Sequence, residues 1–292
     1  MRLLVTGGSG FLGGYVLREA ARRGHETVAL ARSADAASTV AARGAQPITG
    51  DLDAVGLLSV TFAAARCDAL VNLASLGFGH GPAIVAAAEE TGISRAIFVS
   101  TTAVTTTLAA PTKRVRLGAE ERIRSSGLDW TILRPTMIYG APGDRNLSRL
   151  LVLLTRIPIL PVPGGGTHLQ QPVHVADLAD AVLAAAERPG TAGSCYDIAG
   201  PQPQAFGELL AISARAVASK TRFIPVPLAP VIAVARGYEK LCRHPRIRAE
   251  QLQRLAEDKA FEIEDAMHEL DFGPRTFASG IRAEAQALGL AR

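Results

Sequence analysis

The first fourteen residues, MRLLVTGGSGFLGG, limit the fold more tightly than any other stretch of the chain. Leu3-Leu4-Val5 is a short apolar run that stops at glycine, which suits a strand buried on both faces of a parallel sheet. Residues 11–23 then carry Phe11, Leu12, Tyr15, Val16 and Ala20 at helical spacing, and Gly24 follows as a stop signal. Between the two, Gly7, Gly8, Gly10 and Gly13 satisfy both GxGxxG and TGxxGxxG. That spacing allows a tight turn, a backbone that can approach a pyrophosphate, and a helix packed close on its strand. The helix start adds N–H groups and a positive dipole end for the phosphates. The pattern predicts dinucleotide binding, with Gly7, Ser9, Gly10, Phe11 and Leu12 forming the cradle.

The same alternation runs on. Strands are expected at 27–31, 47–49, 69–73, 96–100, 130–134 and 195–198, and helices at 53–65, 82–91, 112–126 and 176–187. Strands separated by helices predict an α/β fold with a doubly wound parallel sheet. The texture changes at Pro135: Pro142, Pro158, Pro161, Pro163 and Gly164-Gly165-Gly166 mark a loop-rich excursion. Residues 1–140 with 167–199 are therefore expected to form the dinucleotide-binding domain. Residues 141–166 with 200–292, mainly helical with one short strand near 221–224, are expected to form a smaller substrate lobe at the carboxyl edge of the sheet, where ligands bind such folds.

Composition excludes several classes. With 48% hydrophobic and 20% charged residues and a net charge of +4, the chain is not disordered. Its three cysteines, Cys67, Cys195 and Cys242, are too scattered for a disulfide framework or a metal clamp, which points to a reducing, cytoplasmic compartment. The six histidines form no HxxxH or HExxH, so no metal site is expected. The most apolar later stretches, 150–162 and 223–235, are broken by prolines or Arg156, and neither reaches the roughly 20 residues needed to span a membrane. The amino terminus reaches glycine too soon for a signal peptide. The densest basic run, Arg236, Lys240, Arg243, His244, Arg246 and Arg248, reads as a solvated helix face, with a phosphate or acidic-lipid contact as the alternative. Tyr238 is its single interleaved aromatic, short of the series of stacking residues that a nucleic-acid platform needs.

The second strand should place a carboxylate on the adenosine ribose if NAD(H) is the cofactor. Instead it ends in Arg32 and Ser33, which can pair with and donate to a 2′-phosphate, so NADP(H) is the expected cofactor and NAD(H) the other reading. Asp51 and Leu52 should border the adenine, and Leu73-Ala74-Ser75 should lie beneath the ribose and nicotinamide.

Taken together, Thr6 to Gly13, Gly50-Asp51-Leu52, Val71-Asn72-Leu73-Ala74, Phe98-Val99-Ser100-Thr101, Leu133-Arg134-Pro135, Ile138 to Asp144 and Val173 to Ala179 resemble the short-chain dehydrogenase/reductase superfamily. The likeness is to its extended and atypical branch of epimerases and dehydratases, and covers nearly the whole length. It implies Ser100 and Pro135 as further cofactor contacts, and a Ser/Thr, Tyr and Lys set for hydride transfer. Thr101, or its neighbours Ser100 and Thr102, fills the hydroxyl position. The YxxxK pair is missing: if Ala119-Glu120 is the family's anchor, Thr112 stands for the tyrosine and Arg116 for the lysine. A threonine cannot shuttle a proton as a phenol does near pH 7. Lys113, Tyr139 and His80 are then the candidate proton donors, beside readings of Tyr139 as structural in a tight turn and of His80 as a loop residue, whereas His174 and Asp177 read as a strand end and a helix start. The Tyr139–Asp144 segment is similar to nucleotide-sugar enzymes, with Arg145 and Arg149 placed to receive a diphosphate. Two other readings stand beside it: a non-catalytic NAD(P)H-binding sensor or accessory module, and a reductase of lipophilic carbonyls. A homodimer through paired helices is also what the resemblance implies.

Overall fold

The computed structural model describes residues 1–108, 111–144, 146–242, 253 and 257–291. In chain order the elements are β1 (Arg2–Thr6), α1 (Phe11–Arg22), β2 (Glu26–Ala31), α2 (Ala34–Ala41), β3 (Gln46–Thr49), α3 (Leu58–Ala65), β4 (Ala69–Asn72), α4 (Gly81–Glu90) and β5 (Arg95–Val99). Next come α5 (Pro111–Arg124), β6 (Asp129–Pro135), β7 (Ile138–Tyr139), α6 (Leu147–Leu154), β8 (Ile159–Pro163), β9 (Leu169–Gln170), β10 (Val173–His174) and α7 (Val175–Glu187). The chain ends with β11 (Ser194–Ile198), β12 (Gln204–Ala205), α8 (Phe206–Ala216), β13 (Arg222–Val226), α9 (Leu228–Leu241), α10 (Glu264–Glu269) and α11 (Phe277–Ala287).

Two compact units divide the chain. The first comprises Met1–Thr136, Val175–Ile198 and Glu262–Gly273. Its seven strands form one sheet in the order β11-β6-β5-β4-β1-β2-β3, every neighbouring pair parallel. The order reverses beside β1, so the carboxyl ends of β1 and β4 flank the crevice where such sheets take ligands. Parallel strands must be covered on both faces, and the central ones are accordingly largely apolar, with Thr6, Asn72, Arg95 and Thr131 as buried polar exceptions. Leu58, Phe62, Ile84, Val85 and Ile123 from α3, α4 and α5 bury one face against Leu4, Leu70, Phe98 and Ile132. α1 packs beside α7. Pro47 is accommodated because β3 is an edge strand and needs no second ladder. Arg95, 8% exposed, ties β5 to its neighbours by donating to Asp129 O (2.6 Å), Thr131 Oγ1 (2.8 Å) and Thr191 Oγ1 (2.7 Å).

The second unit comprises Met137–His174, Ala199–Phe261 and Pro274–Arg292. β7 pairs with β10 and β8 with β13, both parallel, while β9 and β12 are antiparallel. Leu147, Leu151 and Leu154 fall on one face of α6 and join Leu209, Phe277 and Ile281 in its core. The Asp144 carboxylate starts α6 by accepting from the N–H groups of Asn146 (2.7 Å), Leu147 (2.8 Å) and Ser148 (3.0 Å). Glu284 of α11 is 1% exposed; burial first, and then Asp144, push its carboxyl up to about 8, so it is neutral at pH 7.

Several expectations change here. The stretch at 141–166, expected as loop, contains α6 and β8, because Leu147, Leu151 and Leu154 recur at helical spacing. Residues 167–174 cluster with the second unit and 262–273 with the first. The helix expected over 53–65 is a 3-10 turn at Val55–Leu57 followed by α3, and α2 adds a helix where none was expected. Arg145 and residues 243–248 of the basic run lie outside the described residues. No helix among the described residues is long and apolar enough to cross a membrane.

Candidate cofactor and active site

The turn after β1 is built as its glycines require. Gly7 has φ +70°, and a Cβ there would lie 2.9 Å from the Leu73 carbonyl carbon and 2.9 Å from the Ala74 nitrogen. The end of β4 thus passes directly against the turn. A Cβ on Gly13 would lie 2.4 Å from Gly7 O and 2.5 Å from Gly8 O, so helix and turn can pack only without it. Gly10 N donates back to Gly7 O (3.0 Å), and Ser9 and Gly10 are exposed. The first N–H groups of α1, at Phe11 and Leu12, have no partner within the helix and open onto this turn. Thr6 Oγ1 donates to Asn72 Oδ1 (2.6 Å), and Asn72 Nδ2 donates to Ala74 O (3.1 Å), which fixes the Leu73-Ala74 segment alongside. A cradle closed to any Cβ and lined by open amides fits a pyrophosphate.

One residue here was not foreseen. Arg43, just after α2, donates from Nη1 to Gly8 O (2.6 Å) and Gly10 O (2.9 Å), holding the carbonyls outward. Burial, and then Arg18, lower its basicity. A lone arginine after a weakly patterned helix carries no local sign of this contact; only its distance from the turn once folded reveals it.

At the end of β2, Arg32 and Ser33 are exposed. Arg32 has no hydrogen-bond or ion-pair partner among the described residues, and Ser33 Oγ accepts from Ala36 N (3.2 Å) as the cap of α2. Asp51 Oδ1 accepts from Asp53 N (3.1 Å), and Leu52 is half-buried against the sheet core. Ser75 Oγ accepts from Gly77 N (3.2 Å). Ser100 Oγ donates to Glu120 Oε1 (2.6 Å), so that hydroxyl is directed into the structure. Glu120 is fully buried; burial raises its carboxyl, but hydrogen bonds from Arg134 and Ser100 outweigh it and hold it below the usual range. Pro135 is buried in β6, its carbonyl accepting from Thr102 Oγ1 (3.3 Å).

The residues expected to do chemistry separate clearly. Thr101, half-buried after β5, caps the 3-10 turn Thr102–Thr105 by accepting from Ala103 N (3.2 Å). Thr112 Oγ1 accepts from Arg116 Nη1 (2.7 Å), so these two side chains, one helical turn apart, engage each other. The Arg116 guanidinium also lies against Gly77, 3.1 Å from where a Cβ would sit. Lys113 Nζ donates to the Thr106 carbonyl. His80 Nε2 is bonded to Asp53 Oδ1 (2.8 Å). Tyr139 is only 1% exposed in the second unit's core, its ring edge-on to His174 at 5.2 Å and against Phe277 at 5.3 Å. Tyr139 is thus part of that core, as its structural reading expects. Thiolate formation is disfavoured at Cys67 and Cys195, since burial pushes Cys67 up to about 11 and raises Cys195. No group of metal-ligating side chains occurs among the described residues.

A model of the NAD(P)H-binding family matches residues 7–189. A ketoreductase of Stigmatella aurantiaca, named for 4-hydroxy-2-methyl-3-oxo-4-farnesyl-3,4-dihydroquinoline-1-oxide, is 29% identical over 98% of this chain and 96% of its own. A 2-alkyl-3-oxoalkanoate reductase of Stenotrophomonas maltophilia is 29% identical, covering 72% of this chain and 74% of its own. Among solved structures, the UDP-glucose 4-epimerase of Thermotoga maritima superposes with a TM-score of 0.76 over 99% of both chains at 15% identity, a likeness of fold.

Proposed function

The chain belongs to the NAD(P)H-binding family, and from that premise we propose that it is an NADPH-dependent reductase of lipophilic ketones. The carrying observation is the contact between Thr112 and Arg116. Where relatives use a tyrosine able to take and return a proton, this chain has a hydroxyl too weakly acidic for that exchange, already accepting from a guanidinium that cannot release a proton. Epimerisation of a sugar needs a group that works in both directions. Reduction of a ketone needs one proton delivered once. The nucleotide-sugar reading also loses its support in the Tyr139–Asp144 segment, where Tyr139 packs in a core and Asp144 caps a helix. The two reductases reported above, named for a farnesylated and an alkylated oxo compound, support the same substrate class.

In this reading the Gly7–Gly13 turn would hold the pyrophosphate, Arg32 and Ser33 would meet the 2′-phosphate, and Leu73-Ala74-Ser75 would contact the ribose. Asp51 and Leu52 border the adenine, and Arg116 takes the ribose hydroxyls. When bound, the nicotinamide supplies the hydride. Thr101 orients the ketone oxygen, and Lys113 Nζ delivers the proton, so ketone, hydride and one proton become a secondary alcohol.

The test is to follow NADPH oxidation with 2-alkyl-3-oxo acids and prenylated cyclic ketones, with UDP-glucose as control. Turnover of the ketones and none of the sugar is expected; the reverse, or a tightly retained nicotinamide that never exchanges, sinks the reading. Arg32→Ala checks the cofactor. NADPH affinity should fall about tenfold, the worth of one charge-assisted phosphate contact, with NADH affinity unchanged. Equal affinity of the unaltered protein for both cofactors overturns the preference.

A further inference from the structure

α9 is amphipathic in the wrong direction for an ordinary surface helix. Its inner side is supplied by half-buried Val231 and Ile232 and by Ala235, 7% exposed. Its outer side carries Pro230, Val234, Tyr238 and Leu241 at helical spacing, with Ala233 and Gly237 between them. Val234 is 73% exposed and Leu241 88% exposed. A helix facing only water carries polar side chains at such positions. Two large apolar groups left this open mark a contact surface.

Charge identifies what it contacts. Arg236 is exposed on the same helix, and Lys220 and Arg222 are exposed at the start of the strand that leads into it. None of the three pairs with a carboxylate among the described residues. The helix has one acidic residue, Glu239, which is half-buried. In sequence the basic character continues through Lys240, Arg243, Arg246 and Arg248. A protein–protein contact core is depleted of charge. An apolar stripe flanked by unpaired cations is instead the pattern of a helix lying in the interface of an anionic bilayer, its apolar side among the acyl chains and its cations at the headgroups. We propose that the outer face of α9 docks this protein onto membranes rich in anionic lipid. At 14 residues the helix is suited to lie in that plane and not to cross it. The proposal stands on α9 and its cations alone, and holds whichever substrate the chain reduces.

Sedimentation of the full-length protein with phosphatidylcholine vesicles, with and without about one-third phosphatidylserine, tests it. Binding to the anionic vesicles, at least tenfold weaker on neutral ones and released by molar salt, is the expected result. Val234→Asp and, separately, Arg236→Glu should each weaken binding about tenfold while NADPH affinity, a measure of intact folding, stays unchanged. Three results overturn the proposal. One is equal sedimentation with neutral and anionic lipid. Another is undiminished binding by both variants. The third is a stable dimer that Val234→Asp dissociates while the unaltered protein ignores vesicles.

Discussion

Lys113→Met is expected to lower kcat for ketone reduction about a hundredfold or more, the usual worth of a positioned general acid, while leaving NADPH affinity within about twofold. The expectation comes from what the other groups are doing. Thr112 accepts from Arg116, His80 is held by Asp53, Ser100 is directed to Glu120, and Tyr139 is packed in a core. Lys113 is left with an ammonium resting on one backbone carbonyl, at Thr106. Backbone carbonyls are weak competitors for it: substrate can displace the contact without stranding a buried charge. Lys113→Arg separates two roles. An arginine keeps the positive charge that polarises a carbonyl but does not yield a proton, so turnover should stay low while the substrate KM changes little. Full turnover by the arginine variant would make Lys113 an electrostatic group. Full turnover by the methionine variant would move the proton source to another residue.

The parts of this molecule that could be read in sequence are those whose cause is local. Each central strand is built around a short apolar run, because a parallel strand is buried on both faces, and all seven strands of the sheet lie within one residue of the expected bounds. The Gly7–Gly13 turn was legible because its geometry is a matter of missing Cβ atoms at fixed spacing. α2 escaped notice since ADAASTVA buries only Val40 and has almost no apolar stripe. β8 was hidden because its Pro161 and Pro163 argue for loop, and only its partner strand β13, about 60 residues later, makes it a strand. The return of 262–273 to the first unit is likewise a long-range event: Tyr196 donates to Glu269, and Arg188 Nη1 donates to Glu269 O (2.9 Å). Tyr139 shows the limit on the functional side. A tyrosine in a Tyr-Gly-Ala-Pro-Gly-Asp segment looks the same in sequence whether its hydroxyl meets a substrate or packs over Gly280, whose missing Cβ makes room for the ring.

Gly13→Val should have the largest effect on the cofactor. A Cβ at that position meets three backbone atoms, Gly7 O at 2.4 Å, Gly8 O at 2.5 Å and the Gly8 carbonyl carbon at 2.7 Å, and none of them can swing aside as a side chain would. Either α1 lifts from the turn or the turn opens, and in both cases the amides at Phe11 and Leu12 lose the seat they share. Affinity for NADPH and NADH should fall together, by a hundredfold or more, because the pyrophosphate is common to both. The overpacking itself should cost about 1–3 kcal/mol of stability, seen as a lower Tm without cofactor. Two other glycines calibrate the result. In Gly14→Ala the nearest atoms met are those of the Arg43 guanidinium, at 3.0 Å, the far end of a flexible chain, so a modest loss is expected from disturbing the clamp on Gly8 and Gly10. Gly118→Ala, on α5 with nothing nearby, should bind normally and gain about 0.5–1 kcal/mol of stability from helix propensity. The order of the three affinities is the discriminating quantity. A Gly13 variant that folds and binds NADPH as well as the Gly118 variant would mean that the phosphates sit elsewhere, and the roles assigned to Arg32, Arg116 and Lys113 would fall with that seat.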